Sequence, residues 1–302
     1  LSWRGITDHL KHSPAAMRLA DFLGRGRGRL RWFDSLHAPA KPPLPDLSGW
    51  RRGNLATILI GHSTVLLRIG GMTILTDPVF SNRIGVGMGL FTGGPRRMIA
   101  PALSLRQLPP IDLIIVSHAH FDHLDRPTLA RLPHSAPVIT APHNRDLIAD
   151  LGFRQIVELP WGHSVRIGDL NVTAQEAKHW GARTFFDHHR GFAAFLLEGG
   201  QRRVLYGGDT AYHESFKAIG KVDMAILGIS AYDPYIQAHA TPEQAWAMAN
   251  HVKADHILPM HHSTFRLSHE PMRQPMERML KVAGRAADRI VICEVGGQWN
   301  GN

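Results

Sequence analysis

The segment Ser117-His118-Ala119-His120-Phe121-Asp122-His123 places three imidazoles and a carboxylate within six residues, directly after the apolar run 112–116. With 20 histidines in the chain, a single histidine means little. Three His and an Asp at i, i+2, i+4 and i+5 are different: four polar groups at the end of a buried strand need partners, and a divalent cation supplies them. Around a turn, His118 and His120 point to one ion while Asp122 and His123 face the other side, which divides the ligands between two neighbouring metals. Such a pair leaves positions open for solvent and substrate, produces a nucleophilic hydroxide near neutral pH and stabilises oxyanion charge as it develops. Imidazole and carboxylate suit Zn2+ best, with Mn2+ or Fe2+ as further occupants.

The spacing resembles the metallo-β-lactamase superfamily, whose signature is His-x-His-x-Asp-His after a strand. Later blocks arrive in that family's order: Lys178-His179-Trp180, Gly207-Gly208-Asp209-Thr210 after an apolar strand, and Met260-His261-His262 at the end of another. The resemblance implies that His118, His120 and His179 hold one ion, that Asp122, His123 and His261 hold the second, and that Asp209 bridges them together with a hydroxide. His262 is the alternative to His261. Asp77, in Thr76-Asp77-Pro78, reads on its own as a turn aspartate; the resemblance makes it the group that orients a metal-binding histidine.

Finer blocks narrow the branch. Leu59-Ile60-Gly61-His62-Ser63-Thr64, Leu75-Thr76-Asp77-Pro78-Val79-Phe80-Ser81, Leu108-Pro109-Pro110-Ile111-Asp112, Ile229-Ser230-Ala231-Tyr232-Asp233-Pro234 and His239-Ala240-Thr241-Pro242-Glu243-Gln244-Ala245 resemble the N-acyl-phosphatidylethanolamine-hydrolysing phospholipase D group over about residues 55 to 285. This resemblance implies hydrolysis of a phospholipid phosphodiester by a metal-bridging hydroxide, with Asp122 in proton transfer and His239 near the metals on the substrate phosphate. The group's pattern has an arginine after the Asp/Glu-Pro pair, where Tyr235 stands here. The sugar-phosphate lactonase branch shares the general motifs, so a lactonase is the first alternative and a nuclease the second. All seven ligand positions are filled, which argues against a metal-free scaffold.

The elements that must position these residues follow from periodicity. β-rich runs at 56–60, 64–69 and 72–76 make a meander, and later strands at 112–117, 137–141, 169–174, 193–198, 203–206, 224–229, 256–260 and 289–294 alternate with helices at 128–132, 144–151, 242–252 and 271–283. Two sheets covered outside by helices satisfy that order, so the fold class is α/β, a four-layer αβ/βα sandwich of the metallo-β-lactamase type. The glycine-rich stretch 81–100 has neither period and is read as a loop, in which Met88, Leu90, Phe91 and Arg96-Arg97 would present an apolar surface with a basic rim to a lipid.

Composition sets the remaining bounds. The single cysteine, Cys293, excludes an intrachain disulfide and a thiolate cluster and reads as a buried strand residue. Residues 1–54 form an N-terminal extension with a helix, a Gly-Arg alternation and a Pro-rich linker, ahead of a catalytic domain at 55–302. The extension carries 10 Lys/Arg against 4 Asp/Glu, so +6 of the chain's formal +9 lies there. Such an arm is either a solvated basic segment or a contact for an anionic membrane, and it could also join a homodimer. Nucleic acid is the weaker partner, because no RNA-binding module accompanies the charge. No apolar run is long enough to span a bilayer. The reading is a cytoplasmic or peripheral membrane protein, with an upstream targeting segment left open because the chain begins at Leu1.

Overall fold

The computed structural model describes residues 38–50, 53–88, 91–184 and 186–301. The chain divides into two units, Leu1–Ala38 and Pro39–Asn302. The helix and Gly-Arg alternation expected in the arm lie outside the described residues, as does Leu90, and so do the side chains of Met88 and Phe91. Residues 39–50, assigned by sequence to the extension, belong to the second unit: Ala40 bridges Ile99, and Trp50 is buried, its indole N–H donating to Thr73 Oγ1 at 3.3 Å.

In chain order the strands among the described residues are β1 (Leu55–Gly61), β2 (Thr64–Ile69), β3 (Met72–Thr76), β4 (Val86–Met88), β5 (Phe91–Gly93), β6 (Leu113–Val116), β7 (Val138–Thr140), β8 (Ile156–Glu158), β9 (Ser164–Ile167), β10 (Leu170–Gln175), β11 (Ala194–Gly199), β12 (Arg202–Tyr206), β13 (Met224–Gly228), β14 (His256–Met260) and β15 (Gln298–Gly301). The α-helices among the described residues are α1 (Arg126–Leu129), α2 (Pro242–His251) and α3 (Gln274–Ala283).

One sheet runs β15-β1-β2-β3-β6-β7-β8 and the other β14-β13-β12-β11-β10-β9. Each begins as an antiparallel meander and ends in parallel strands: β3, β6, β7 and β8 in the first, β12, β13 and β14 in the second. The inner faces meet in a core of Leu67, Ile74 and Ile115 with Val172, Phe195 and Ile226. On the outside, Leu66, Ile114 and Val138 pack under Leu124, Leu129 and Ile148, while Leu205, Ala225 and Ile257 pack under Ala245 and Met248 of α2 and Met279 of α3. This is the expected four-layer sandwich. Because both sheets are covered on both faces, the central strands read as continuous apolar runs: every residue of β6 is buried, whereas β10, beside the edge strand β9, alternates.

Several local expectations are corrected. Residues 289–294 form no strand. Ile290 makes a single bridge to Ile257, Ile290 and Ile292 turn inward, and Cys293 is exposed. The edge strand is β15 instead, added to β1 after a turn at Gly296-Gly297. Residues 144–151 form two 3-10 turns rather than a helix, broken where Ile148 leaves helical geometry. The 81–100 stretch contains the β4–β5 hairpin, and its Arg97 is buried rather than part of a basic rim: Nη2 donates to Val79 O at 2.6 Å and Nε to Ser81 O at 3.1 Å.

Candidate metal centre

Strand direction explains why residues far apart in sequence meet. β1, β3 and β6 run the same way in the first sheet, and β10, β12, β13 and β14 run the same way in the second. Their carboxyl ends deliver His62, Asp77 and the 118–123 segment from one sheet, and His179, Asp209 and His261 from the other. Ligands of open α/β sheets collect at such carboxyl ends. His239 arrives between β13 and α2, in a turn where Ala238 and His239 N–H both donate to Tyr235 O. Thr241 then caps α2 through a reciprocal capping box with Gln244.

Two buried sets of ligand atoms form. His118, His120, His179 and Asp209 make one, and His62, Asp122, His123 and His261 the other. In the first, His118 Nε2 and His179 Nε2 lie 2.8 and 3.2 Å from His120 Nδ1. Asp209 Oδ2 lies between the sets, 3.9 Å from His118 Nε2, 3.8 Å from His179 Nε2, and 3.1 Å from both His123 Nε2 and His261 Nε2. His239 Nδ1 approaches the same oxygen at 3.7 Å. The structure brings His261 to the cluster; His262 turns to Ser263 Oγ at 2.8 Å and joins neither set.

The backs of the rings are held by the protein, which fixes their tautomers. His123 Nδ1–H donates to Asp77 Oδ2 at 2.5 Å, His179 Nδ1–H donates to Ala238 O at 2.8 Å, and His118 Nδ1 meets Ser117 Oγ at 2.9 Å. Asp77, at a positive φ of 34°, also accepts Ser117 N–H and Ser117 Oγ–H at 2.6 Å each and Tyr206 O–H at 2.6 Å. Its carboxylate therefore supports His123 directly and His118 through Ser117.

The inward-facing atoms are left without hydrogen bonds. Among the described residues, both carboxylate oxygens of Asp209, and Nε2 of His123 and of His261, are buried and find no hydrogen-bond partner. A buried carboxylate that faces imidazole nitrogens at 3.1–3.9 Å with none in hydrogen-bonding geometry is costly unless a cation neutralises it, so the donor set fits a divalent ion. The electrostatics agree. Burial opposes ionisation of Asp122 and Asp209, but His123 and the neighbouring imidazoles outweigh it and hold both well below the usual carboxylate range. Burial also disfavours protonated His261, yet Asp209 and Asp122 lift it to about 9. Burial and the adjacent imidazoles push His118 well below its ordinary value.

Sequence reasoning passed over four residues. His62, noted only within a motif block, lies 3.0 Å from Asp122 Oδ2. Tyr206 and Ser117 complete the Asp77 network. Arg183 donates Nη1 to Ala119 O at 2.6 Å and to Leu124 O at 2.8 Å, and its guanidinium lies 3.9 Å over the Phe121 ring, so it clasps the ligand segment from outside. Only the Gly61-His62 pair between two apolar runs carried a local signal, because a turn there needs left-handed backbone.

Residues 72–262 match the Beta-lactamase superfamily domain. An uncharacterised protein of Mycobacterium tuberculosis is 34% identical over 82% of this chain and 70% of its own length. The N-acyl-phosphatidylethanolamine-hydrolyzing phospholipase D 1 of Caenorhabditis elegans is 30% identical over 80% of this chain and 74% of its own. Among solved structures, a possible metal-dependent hydrolase from Veillonella parvula superposes with a TM-score of 0.66 at 18% identity, covering 82% of this chain and 99% of that one, which supports the fold. With its His/Asp clusters at the strand ends, the chain belongs to the β-lactamase superfamily, as one of its metal-dependent hydrolases.

Proposed function

We propose that the centre holds two divalent cations, one on His118, His120 and His179, the other on Asp122, His123 and His261, with Asp209 shared. We further propose that it hydrolyses the phosphodiester of an N-acyl-phosphatidylethanolamine-like phospholipid in the manner of a phospholipase D. The observation that carries this reading is the place of Asp209 Oδ2 between the two ligand sets, within 3.9 Å of a histidine from each. Zn2+ matches the donors best, and Mn2+ or Fe2+ next. Such a pair supplies Lewis acidity and an activated solvent nucleophile at neutral pH.

The chain's own residues do the rest. Asp122 retains some solvent contact, its side chain 12% exposed, and takes up and passes on the proton that the attacking water gives up. His239, beside Asp209 and 5.0 Å ring to ring from His179, meets the substrate phosphate. Trp180 stacks on His179 at 4.7 Å and walls the centre with an apolar surface. Asp77 keeps His123 aimed inward. Water adds to phosphorus and the P–O bond to the alcohol breaks, giving a phosphatidic acid and an N-acylated amino alcohol. The 30% identity to the nematode phospholipase D supports this substrate class over other diesters.

The test is turnover of bis-(p-nitrophenyl) phosphate, of N-acyl-phosphatidylethanolamine in vesicles, of a lactone panel and of RNA at several salt concentrations by protein of known metal content, beside Asp122→Asn. The reading expects metal-dependent cleavage of both diesters, lost in the variant, with lactones untouched. Lactone turnover alone moves the enzyme to the lactonase branch. Cleavage of RNA with a steep salt dependence makes it a nuclease.

A further inference from the structure

His62 occupies the turn between β1 and β2, at a φ of 58° that non-glycine residues rarely adopt. Its backbone is tied twice to the segment that carries His261: His62 N–H donates to Thr264 Oγ1 at 2.8 Å, and His62 O accepts the His261 N–H at 3.0 Å. The ring is buried, lies 4.1 Å from the His261 ring and is backed edge-on by Phe265 at 5.2 Å. A residue held in an unfavourable backbone region, with its side chain aimed into a cluster of ligand atoms, is the kind of feature that function maintains.

The tautomer follows from hydrogen-bond accounting. Nδ1 is buried and has no hydrogen-bond partner among the described residues, while Nε2 lies 3.0 Å from Asp122 Oδ2. An ionised carboxylate only accepts, so Nε2 carries the hydrogen and Nδ1 the lone pair, and the lone pair is the cheaper of the two to leave unpaired. Among the described residues His62 Nε2 is nearest to this oxygen of the three imidazole nitrogens around it, with His261 Nε2 at 3.4 Å and His123 Nε2 at 3.7 Å.

We propose that His62 is a positioning residue for the Asp122 half of the centre: its Nε2–H fixes the carboxylate while its backbone and ring fix His261, so that one residue sets two ligands of the same ion. The inference rests on the two-ion reading above. Groups that orient metal ligands without binding the metal are common, and losing one weakens metal affinity without removing a ligand.

The test is a Co2+ titration of the metal-stripped full chain, followed by d–d absorption and calorimetry, in the native protein, His62→Gly, His62→Asn and His62→Gln. Glycine and asparagine accept the left-handed turn, but neither reaches Asp122; the longer glutamine amide reaches as far as Nε2 does. Thermal melting of each metal-free variant reports folding separately. The native chain is expected to bind two equivalents. In the Gly and Asn variants the first ion should bind as before and the second about 10- to 100-fold more weakly, with the Gln variant restoring most of the loss. Unchanged binding of the second ion in both Gly and Asn overturns the role of His62 and leaves the two-ion reading intact. A native chain that binds one equivalent overturns that reading and this inference with it. A cobalt spectrum showing one fewer nitrogen ligand in every variant, Gln included, makes His62 a ligand and overturns the positioning role.

Discussion

The Asp77 carboxylate accepts the Nδ1–H of His123 at 2.5 Å while the same group takes the Ser117 and Tyr206 hydroxyls, so one buried acid aims His123 into the cluster and is itself held by Ser117 of the first sheet and Tyr206 of the second. Asp77→Asn keeps the shape but replaces an acceptor oxygen with an N–H donor facing three donors. Metal affinity is expected to fall about 10- to 100-fold with every ligand still present. Calorimetric titration of the stripped protein measures this; native affinity in the variant removes the orienting role.

Proton competition sets a pH dependence. In the metal-free chain Asp209 and Asp122 raise His261 to about 9, so the imidazole carries a proton at neutral pH that metal must displace. Apparent affinity at this half of the centre should rise with pH between about 7 and 9 and level off above, with proton release on binding. Calorimetry in buffers of different ionisation enthalpy reads the released protons. For the metal-free fold the sign is opposite: the raised His261 contributes stability that is complete below its ordinary 6.5 and is lost as pH rises through about 9. Melting temperature against pH, with and without metal, separates the two effects.

Arg183 bonds two carbonyls of the ligand segment at once, Ala119 and Leu124, while covering Phe121. Arg183→Met keeps the apolar stem and loses both charge-assisted bonds, an expected destabilisation of about 2–4 kcal/mol by denaturant unfolding of the metal-free chain. Arg183→Lys should recover less than half, because an ammonium cannot reproduce the planar fork. Full stability in the methionine variant contradicts a clasping role.

Much of the centre was legible because its residues are chemically conspicuous and local. His118, His120, Asp122 and His123 follow one apolar strand at a spacing that reads as a cation site by itself, while His179, Asp209 and His261 were picked out only by the family resemblance of their blocks. What was missed depends on distance along the chain. His62 meets Asp122 60 residues away and Tyr206 meets Asp77 129 residues away, and neither residue type signals such a partner by itself. Arg97 read as surface charge because its carbonyl partners come from a loop whose path periodicity does not describe. The run at 290–293 has strand composition, yet along the β14 edge of the second sheet only Ile290 bridges, to Ile257, and Cys293 faces outward, while the strand that follows, β15, pairs with β1 of the first sheet. The 3-10 turns at 145–151 have helical composition but break at Ile148 before a full turn can propagate.

The most direct test of the central claim is stoichiometric: restore Zn2+ to stripped protein while recording both bound metal and hydrolysis of bis-(p-nitrophenyl) phosphate. Two equivalents per chain, full activity only when the second is bound, and loss of one equivalent in Asp209→Ala are the results the two-ion centre predicts. Full activity at one equivalent, or turnover by the stripped chain, would contradict it.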